Sequence, residues 1–568
     1  MRCYVRVIII ALALISFTSP SFCIDSDRTS PRHYAGSWLA VDSLVKNGLT
    51  KTALDTVNAI YKKASGSNNS DQIIKSIIYR MRLESSMEED AFVKAMDRLN
   101  EEIKTSVFPA TPLLHSMLAE CYLHYYQNNR RNFFNRTHVE IPGSDIHTWD
   151  LRTIMDKITT EFRLSLVNPD KLKAARTDIF DEAISDSCTE KKIRPTLFDF
   201  LAYRAIDFFS MSDNGLTKPA GEFTLNSEEY FKPFNEFSKL DIVSNDSLSL
   251  RFLALKILRE LVIFHLKADD TAALMDADIK RLSFVRQNSS MPEKDSLYLA
   301  ALMSIKNYAS LNPASAEAAW YIAMLYKNRA DTYIHGKYDQ YRWMNREALK
   351  LCDKAMKTFP ESYGARQCAG LSGNIKAKSM TFSCENVSVP GKPSAILLSY
   401  RNISKVALRL VQIDIDDYRK FVEKTAYDSV AIKLSMLEPV KEWSAALPDP
   451  GDFQSHSVVL DVPTLNAGHY VLLCASDPEF RPDSQAMAYS DVQVSRLSFI
   501  ERSDKNGNKN FIILDRETGL SVKDVIIKIW NRVYEPKTRE YKLVLNKTFV
   551  ANADGSFIIN PSGGNYND

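Results

Sequence analysis

Nucleophiles, titratable side chains and metal ligands do chemistry only when their spacing lets them meet, and this sequence concentrates few of them. The densest stretch is residues 128–150, where Arg130, Arg131, Phe133, Phe134, His138, His147 and Trp149 interleave cations with aromatic rings. Such a segment can dock on another domain or on a ligand, and a partly buried connecting loop carries the same composition. The second reactive set is the thiols: eight Cys, with Cys121, Cys188, Cys352, Cys368, Cys384 and Cys474 lying beyond Cys23. None forms a C-x-x-C pair, and an isolated Cys most often ends as a small buried thiol. Only Cys352 and Cys368, on neighbouring predicted helices, are placed for a bridge.

The short motifs of the common chemistries are missing. There is no H-E-x-x-H, no G-x-S-x-G, no G-x-x-x-x-G-K-[ST] and no zinc-like Cys/His spacing. The nine His are scattered, and no two carboxylates are paired by spacing for acid–base work. The expectation is a chain that is not an enzyme, with no catalytic residue, no cofactor site and no metal site.

The elements that would position such groups come next. At 568 residues the chain is too long for one core, and a domain per ~100–200 residues gives about three to five. Lys+Arg 72 against Asp+Glu 70 leaves a net charge of +2 with no basic stripe, so neither nucleic acid nor an anionic membrane is indicated as a partner. Arg2 and Arg6 precede the 11-residue apolar run 7–17, too short to span a bilayer but fitting a secretory leader. Ser21 and Cys23 suit the −3 and −1 positions of a cleavage site, so residues 1–23 are expected to be removed. The rival is a lipoprotein signal acylated at Cys23, which Phe22 disfavours. The expected address is the periplasm, the outer-membrane surface or the exterior, with no transmembrane helix beyond the leader.

From 31 to 376 the apolar period is helical. Leu54, Val57, Ile60 and Ala64 make one stripe; Phe92, Met96, Leu99 and Ile103 make another, opened by a Ser86/Glu89 capping box. Thr111-Pro112 and Asn312-Pro313 each read as an N-cap before a first-turn proline. Tyr341, Met344, Ala348, Leu351 and Ala355 form a stripe stopped by Phe359-Pro360. Small Ala alternating with aromatic rings suits close-packed helix pairs, and residues 312–375 resemble tetratricopeptide-type repeats within a degenerate α-solenoid.

Near Lys378 the period switches to two. Met380, Phe382 and Cys384 alternate, Pro390-Gly391-Lys392-Pro393 turns, and Ile396, Leu398 and Tyr400 alternate again. Val406, Leu408 and Leu410 then give way to Val411, Ile413 and Ile415 on the other face, for which a bulge near Leu410 is the expected cause. Residues 418–433 are amphipathic. Residues 458–475 read as a β-hairpin turning at Asn466-Ala467-Gly468, and residues 492–494 as a closing strand. Residues 511–530 read as strand, Asp515-Arg516-Glu517-Thr518-Gly519 turn, strand.

The Asp-Arg-x-Thr-Gly motif, the strand that follows it, the Asp554-Gly555 turn and Gly468-His469-Tyr470 together resemble macroglobulin-type domains of the large bacterial alpha-2-macroglobulin-like proteins. The resemblance implies a β-sandwich over 378–495 and a second macroglobulin-type sandwich, incomplete, over 496–568; the last segment is short of the ~100 residues such folds use. It also implies a role in protease trapping or endopeptidase inhibition, with this portion as scaffold and proteases or other envelope proteins as partners. That family's Cys-x-Glu-Gln thioester is not spelled here: the nearest match, Cys188-Thr189-Glu190-Lys191, has Lys191 where the acyl-donor Gln belongs. The alternative is a helical-repeat interaction module with β-sandwich spacers.

Overall fold

The stripes fold as their period dictates. The computed structural model describes residues 32–560 except 86, 88–90, 137–142, 144, 185–190, 192, 212–221, 247–248, 482–485, 506 and 537–539. The leader, the Ser86/Glu89 box, His138, Cys188 and the residues after 560 therefore lie outside the described residues. The chain is α then β. Helices follow one another from Arg32 to Lys376, and from Ser379 onward β-strands in several sheets predominate, with two helices between them. Its residues divide into two compact units. One runs up to Ile322 and includes Phe359–Ala365; the other holds Ala323–Thr358 and everything from Arg366 onward.

In the first unit, α1 (Arg32–Lys46), α2 (Thr50–Gly66), α3 (Ser70–Ser85), α4 (Ala91–Thr105) and α5 (Ala110–Asn128) pack on one another in chain order. Val57, Ile60 and Ala64 are buried as the period requires, as are Met96 and Leu99, while Leu54, Phe92 and Ile103 stay half-exposed at the rims. Leu114, Met117, Leu118, Cys121 and Tyr125 are all buried on α5. That helix starts at Ala110 behind Pro109, not at a Thr111 cap. Pro112 still fits, because a first-turn N–H has no partner to lose. The short α6 (Arg130–Phe134) leads to α7 (Leu151–Leu164), α8 (Pro169–Ala174), α9 (Leu197–Phe209), α10 (Phe234–Phe237), α11 (Leu250–Lys267), α12 (Thr271–Asn288) and α13 (Lys294–Tyr308).

Helix α14 (Ala314–Ala330) opens where expected, with the Asn312 side chain accepting from the Ala314 N–H at 2.9 Å. Its Ala-rich start lets α16 (Tyr363–Lys376) approach so closely that a Cβ on Gly364 would lie 2.2 Å from the Glu317 nitrogen. Between them, α15 (Met344–Thr358) ends before Pro360; its buried stripe is Asn345, Ala348, Leu349, Cys352 and Ala355.

In the second unit, strands β1 (Ser379–Cys384), β3 (Ser394–Arg401) and β6 (His456–Val462) form one sheet. A five-stranded sheet faces it: β2 (Val387–Ser388), β8 (Met487–Val494), β7 (Gly468–Ala475), β4 (Lys405–Gln412) and β5 (Lys441–Ala446) in that spatial order. Met380, Ile396, Leu398, Tyr400, Val406, Leu408, Leu410, Leu472 and Cys474 fill the space between the two sheets.

Two expectations fail here for one reason. There is no bulge at Leu410: β4 pairs with β5 and β7 without a register shift. Its apolar residues occupy both faces because both are covered. The second face, with Ala407, Val411, Val471 and Leu473, packs under α17 (Ile415–Lys424) and α18 (Tyr427–Ser435) through Val430, Leu434, Tyr418 and Phe421. Nor do β6 and β7 make a hairpin. The turn between them carries the chain from the three-stranded sheet to the five-stranded one, as fits a one-sided strand followed by a strand buried throughout.

Beyond Ser495 a smaller pair of sheets follows: β9 (Leu497–Ser503), β10 (Lys509–Asp515) and β13 (Ser556–Ile559) in the order β13-β10-β9, and the ribbon β11 (Ile526–Glu535) with β12 (Glu540–Val550). The Asp515 turn forms as its residues dictate. Asp515 Oδ1 accepts from the N–H groups of Glu517 and Thr518 at 3.1 and 2.9 Å, and Gly519 takes φ +70°. Past that turn the chain changes sheets, so the two strands it joins are not hairpin partners.

Candidate interaction surface

The 128–150 segment resolves into a structural part and an outward part. Phe133 is buried against Tyr125 and Tyr126, and Trp149 is buried beside Tyr122, its indole N–H donating to the Gly143 carbonyl at 2.7 Å. Arg136 stacks on Phe133 and donates to the Trp149 carbonyl at 2.7 Å. His147 meets the Tyr125 hydroxyl at 3.0 Å, and Asp150 caps α7 by accepting from the Thr153 N–H at 2.8 Å. Those groups tie α6 and the following turn to α5. What faces outward is Gln127, Asn128, Asn129, Arg130, Arg131, Asn132 and Phe134, lining a shallow recess of about 570 Å³.

The charged groups of the helical unit that attract attention are buried and mutually satisfied. Asp276 accepts two bonds from Arg194, at 2.6 and 2.7 Å, and one from the Tyr203 hydroxyl at 2.5 Å. Burial and the Asp276 charge push the Tyr203 phenol well above its ordinary range. His265 meets Asp199 at 2.7 Å, and Asp199 also closes a capping box with Thr196 at the start of α9. Arg281 is wholly buried. It pairs with Asp278, donates to the Tyr230 and Lys232 carbonyls at 2.5 and 3.0 Å and lies over the Phe237 ring. These clusters were not found from sequence, although Thr196-x-x-Asp199 carried a local signal for one of them. They hold helices together.

The turns singled out in the β half do meet. Lys392, from the Pro-Gly-Lys-Pro turn, lies 2.6 Å from Glu517 of the Asp515 turn. Asp515 also takes Arg496 at 3.0 Å. Hydrogen bonds from the Thr518 N–H and then its hydroxyl hold the Asp515 carboxyl below its usual range. His469 is held by the Ile413 carbonyl at 3.0 Å and by Asp491 at 3.4 Å, a structural arrangement. Lys191 pairs with Asp181 at 2.5 Å.

The β11–β12 ribbon exposes an apolar surface. Register pairs Ile526 with Val550, Trp530 with Leu545, Arg532 with Leu543 and Tyr534 with Tyr541; alternation puts these on one face. That face is exposed, with Trp530 at 45 %, Leu543 at 43 %, Leu545 at 45 % and Tyr541 at 51 %. Arg532 stacks on Tyr541, whose ring also meets Tyr534. The opposite face is anchored instead: Ile527 and Phe549 pack on Ile513, Phe557 and Ala551. An aliphatic and aromatic strip that also carries Arg532 and Lys528 has the composition of a protein-binding patch.

Among the described residues, no group of three or more His, Cys, Asp or Glu is placed to hold a metal, and no helix is long and apolar enough to cross a membrane. The sequence matches no known family and none of the curated proteins.

Proposed function

We propose that this chain is an exported, non-enzymatic scaffold of the alpha-2-macroglobulin-like kind, contributing protein contacts to a protease-trapping or envelope assembly. The observation that carries the reading is the apolar outer face of the β11–β12 ribbon, on a small two-sheet unit that follows a complete sandwich. Supporting it are the two motif turns joined by Lys392 and Glu517 and the Cys-x-Glu-Lys spelling that leaves no thioester donor. A second reading, a helical interaction module with sandwich spacers, is favoured by the Asn- and Arg-lined recess at the end of α5.

A photo-crosslinking amino acid placed in living cells at Leu543, at Phe134 and at the exposed control position Lys62 separates these readings. The scaffold reading expects protein adducts from position 543 and none from 62. Adducts from 134 alone transfer the function to the helical recess, and adducts from neither overturn both. Mass spectrometry of the mature N-terminus tests the address: cleavage after Cys23 is expected, and an intact Met1 refutes export.

A further inference from the structure

Strand β11 presents a regular edge. The ribbon has two strands, so among the described residues each of them lacks a strand partner on its outer side. The two edges differ. On β12 the pairing slips, Ile529 facing Lys547 and Trp530 facing Leu545, which leaves Asn546 as an extra residue, and a bulge of this kind spoils an edge for further pairing. Strand β11 runs for 10 residues without such an insertion and without Gly or Pro, so its outward N–H and C=O groups keep the alternation that another strand can match.

The side chains along β11 define the chemistry of that match. Ile526, Lys528, Trp530, Arg532 and Tyr534 are exposed and share the outer face, whereas Ile527 turns inward onto the core of Ile513, Ala551 and Phe557. No Asp or Glu shares the outer face on either strand. Both cations therefore sit on the edge strand itself, interleaved with aliphatic and aromatic side chains.

We propose that β11 is a strand-addition site: an extended, acidic segment of a partner protein pairs along it as a third strand, with carboxylates opposite Lys528 and Arg532 and apolar side chains opposite Ile526, Trp530 and Tyr534. The proposal rests on the scaffold reading above and names the partner's chemistry. Main-chain bonds supply affinity with little sequence preference, and cross-strand neighbours supply the choice, because opposite charges across a ladder attract and like charges repel. That rule disfavours a second copy of this chain. Antiparallel pairing of β11 with itself about Trp530 would set Lys528 of each copy opposite Arg532 of the other. Charged side chains on an edge are a general guard against self-association, and here the same charges select an acidic strand. An anionic membrane matches the charges and the aromatic rings but leaves the ladder groups of β11 unpaired, so a polypeptide fits the edge more fully.

The test adds the peptide VTETFTETV to the purified full chain, up to millimolar concentration. Anisotropy of a labelled copy reads affinity, and hydrogen exchange with mass spectrometry reads backbone protection. The comparison peptides are VTKTFTKTV, with lysine in place of glutamate, and VTEPFPETV, whose prolines interrupt the ladder. Expected is slowed exchange over residues 526–535, with both comparison peptides weaker by about tenfold or more. Lys528→Glu/Arg532→Glu should invert the order and bind the lysine peptide better than the glutamate one, which an unfolded variant could not do. No binding of the glutamate peptide, equal binding of the two charged peptides, or protection that excludes residues 526–535 overturns the proposal. So does a dimer that protects these residues without peptide, or their protection by phosphatidylglycerol vesicles and not by the peptide. The scaffold reading fails by a different route: protein adducts from position 543 in cells together with equal binding of the charged peptides would keep that reading and remove this one.

Discussion

Replacing Arg281 by Met should destabilise the helical unit by about 3–5 kcal/mol, the usual cost of removing one partner from a buried ion pair. The guanidinium is fully buried and meets Asp278 through two nitrogens, at 2.7 and 2.6 Å, while its other hydrogen bonds go to the carbonyls of Tyr230 and Lys232. Burial pushes Asp278 up and Arg281 down, and in each case the partner's opposing charge only partly restores the ordinary value. Desolvation therefore rivals the attraction, so the pair contributes position more than stability. The Asp278→Leu/Arg281→Met double variant should then cost far less than either single change, because no charge is stranded. Tyr230 and Lys232 are only half-buried, so water can replace the donors that their carbonyls lose. For a cooperative unit of roughly 300 residues, an unfolding entropy near 2.1 cal/mol/K per residue converts 3–5 kcal/mol to about 5–8 °C. In Arg281→Met the lone Asp278 has a folded pKa above its unfolded one. Its protonated form stabilises the fold below the unfolded pKa and is lost as pH rises, so the penalty should shrink toward pH ~4. The assay is thermal and denaturant unfolding of the three variants across pH. A double variant that costs the sum of the singles would refute the reasoning, as would a single variant within about 1 kcal/mol of wild type.

Gly364→Ala should cost about 1–3 kcal/mol or more, because its Cβ would sit 2.2 Å from the Glu317 nitrogen and 2.3 Å from the Ala316 carbonyl carbon; an unchanged thermal midpoint would show that α14 and α16 are less close than described. Asp452 is buried, which alone would raise its pKa, but hydrogen bonds from His456 at 2.8 Å and Arg342 at 2.9 Å hold the carboxyl below its ordinary value. A depressed folded pKa stabilises above the unfolded value of about 3.9 and is lost as pH falls through the folded one. The stability gap between wild type and Asp452→Asn should therefore hold at neutral pH and narrow below pH ~4, and a gap that widens there contradicts the assignment. Amides of β10 to β13 should exchange with solvent much faster than those of α15, since the ribbon has only two strands and one covered face; equal protection in a monomer would refute that. Incubation with an endopeptidase should give no methylamine-sensitive covalent adduct, because Lys191 cannot serve as an acyl donor, and such an adduct on a denaturing gel would place the thioester chemistry elsewhere in the chain.

The change from helix to strand was legible because it is written in period alone: stripes at three and four residues run up to Lys376, and alternation begins at Ser379. Strand existence was legible too, and strand partnership was not. Asn466-Ala467-Gly468 signals a turn whether the chain folds back into the same sheet or crosses to the facing one, and only the two-sided burial of β7 decides. The face change after Leu410 points to a bulge in sequence for a related reason. A strand covered on both sides loses its alternation, and a bulged one-sided strand loses it locally, so the two look alike over six residues. The cover here is α17 and α18, an amphipathic stretch that was visible in the sequence but not connected with β4. Buried ion clusters stayed hidden because Arg194, Asp276 and Tyr203 are far apart in the chain, and nothing in a charged residue's own surroundings announces a distant partner.

The same physics separates the two sheet systems of the β half. The five-stranded sheet has an inner face against β1, β3 and β6 and an outer face under α17 and α18, so its central strands can be apolar throughout without exposing anything. The β11–β12 ribbon carries comparable side chains, yet it is covered only where Ile527 and Phe549 pack, and Val533 and Val544 farther along that face are exposed. Trp530, Leu543, Leu545 and Tyr541 thus have the composition of the inside of a sandwich in the position of an outside. Burying such residues stabilises by roughly 25 cal/mol per Å² of apolar surface, a gain the ribbon makes only against another surface. Arg532, stacked on Tyr541, and Lys528, opposite Thr548, keep the face from being uniformly apolar and give a partner two positive charges to match. Reversing one charge with Arg532→Glu should therefore weaken the crosslinking from position 543 without changing the fold, whereas equal crosslinking by both forms would mean that the partner reads the ribbon by its apolar area alone.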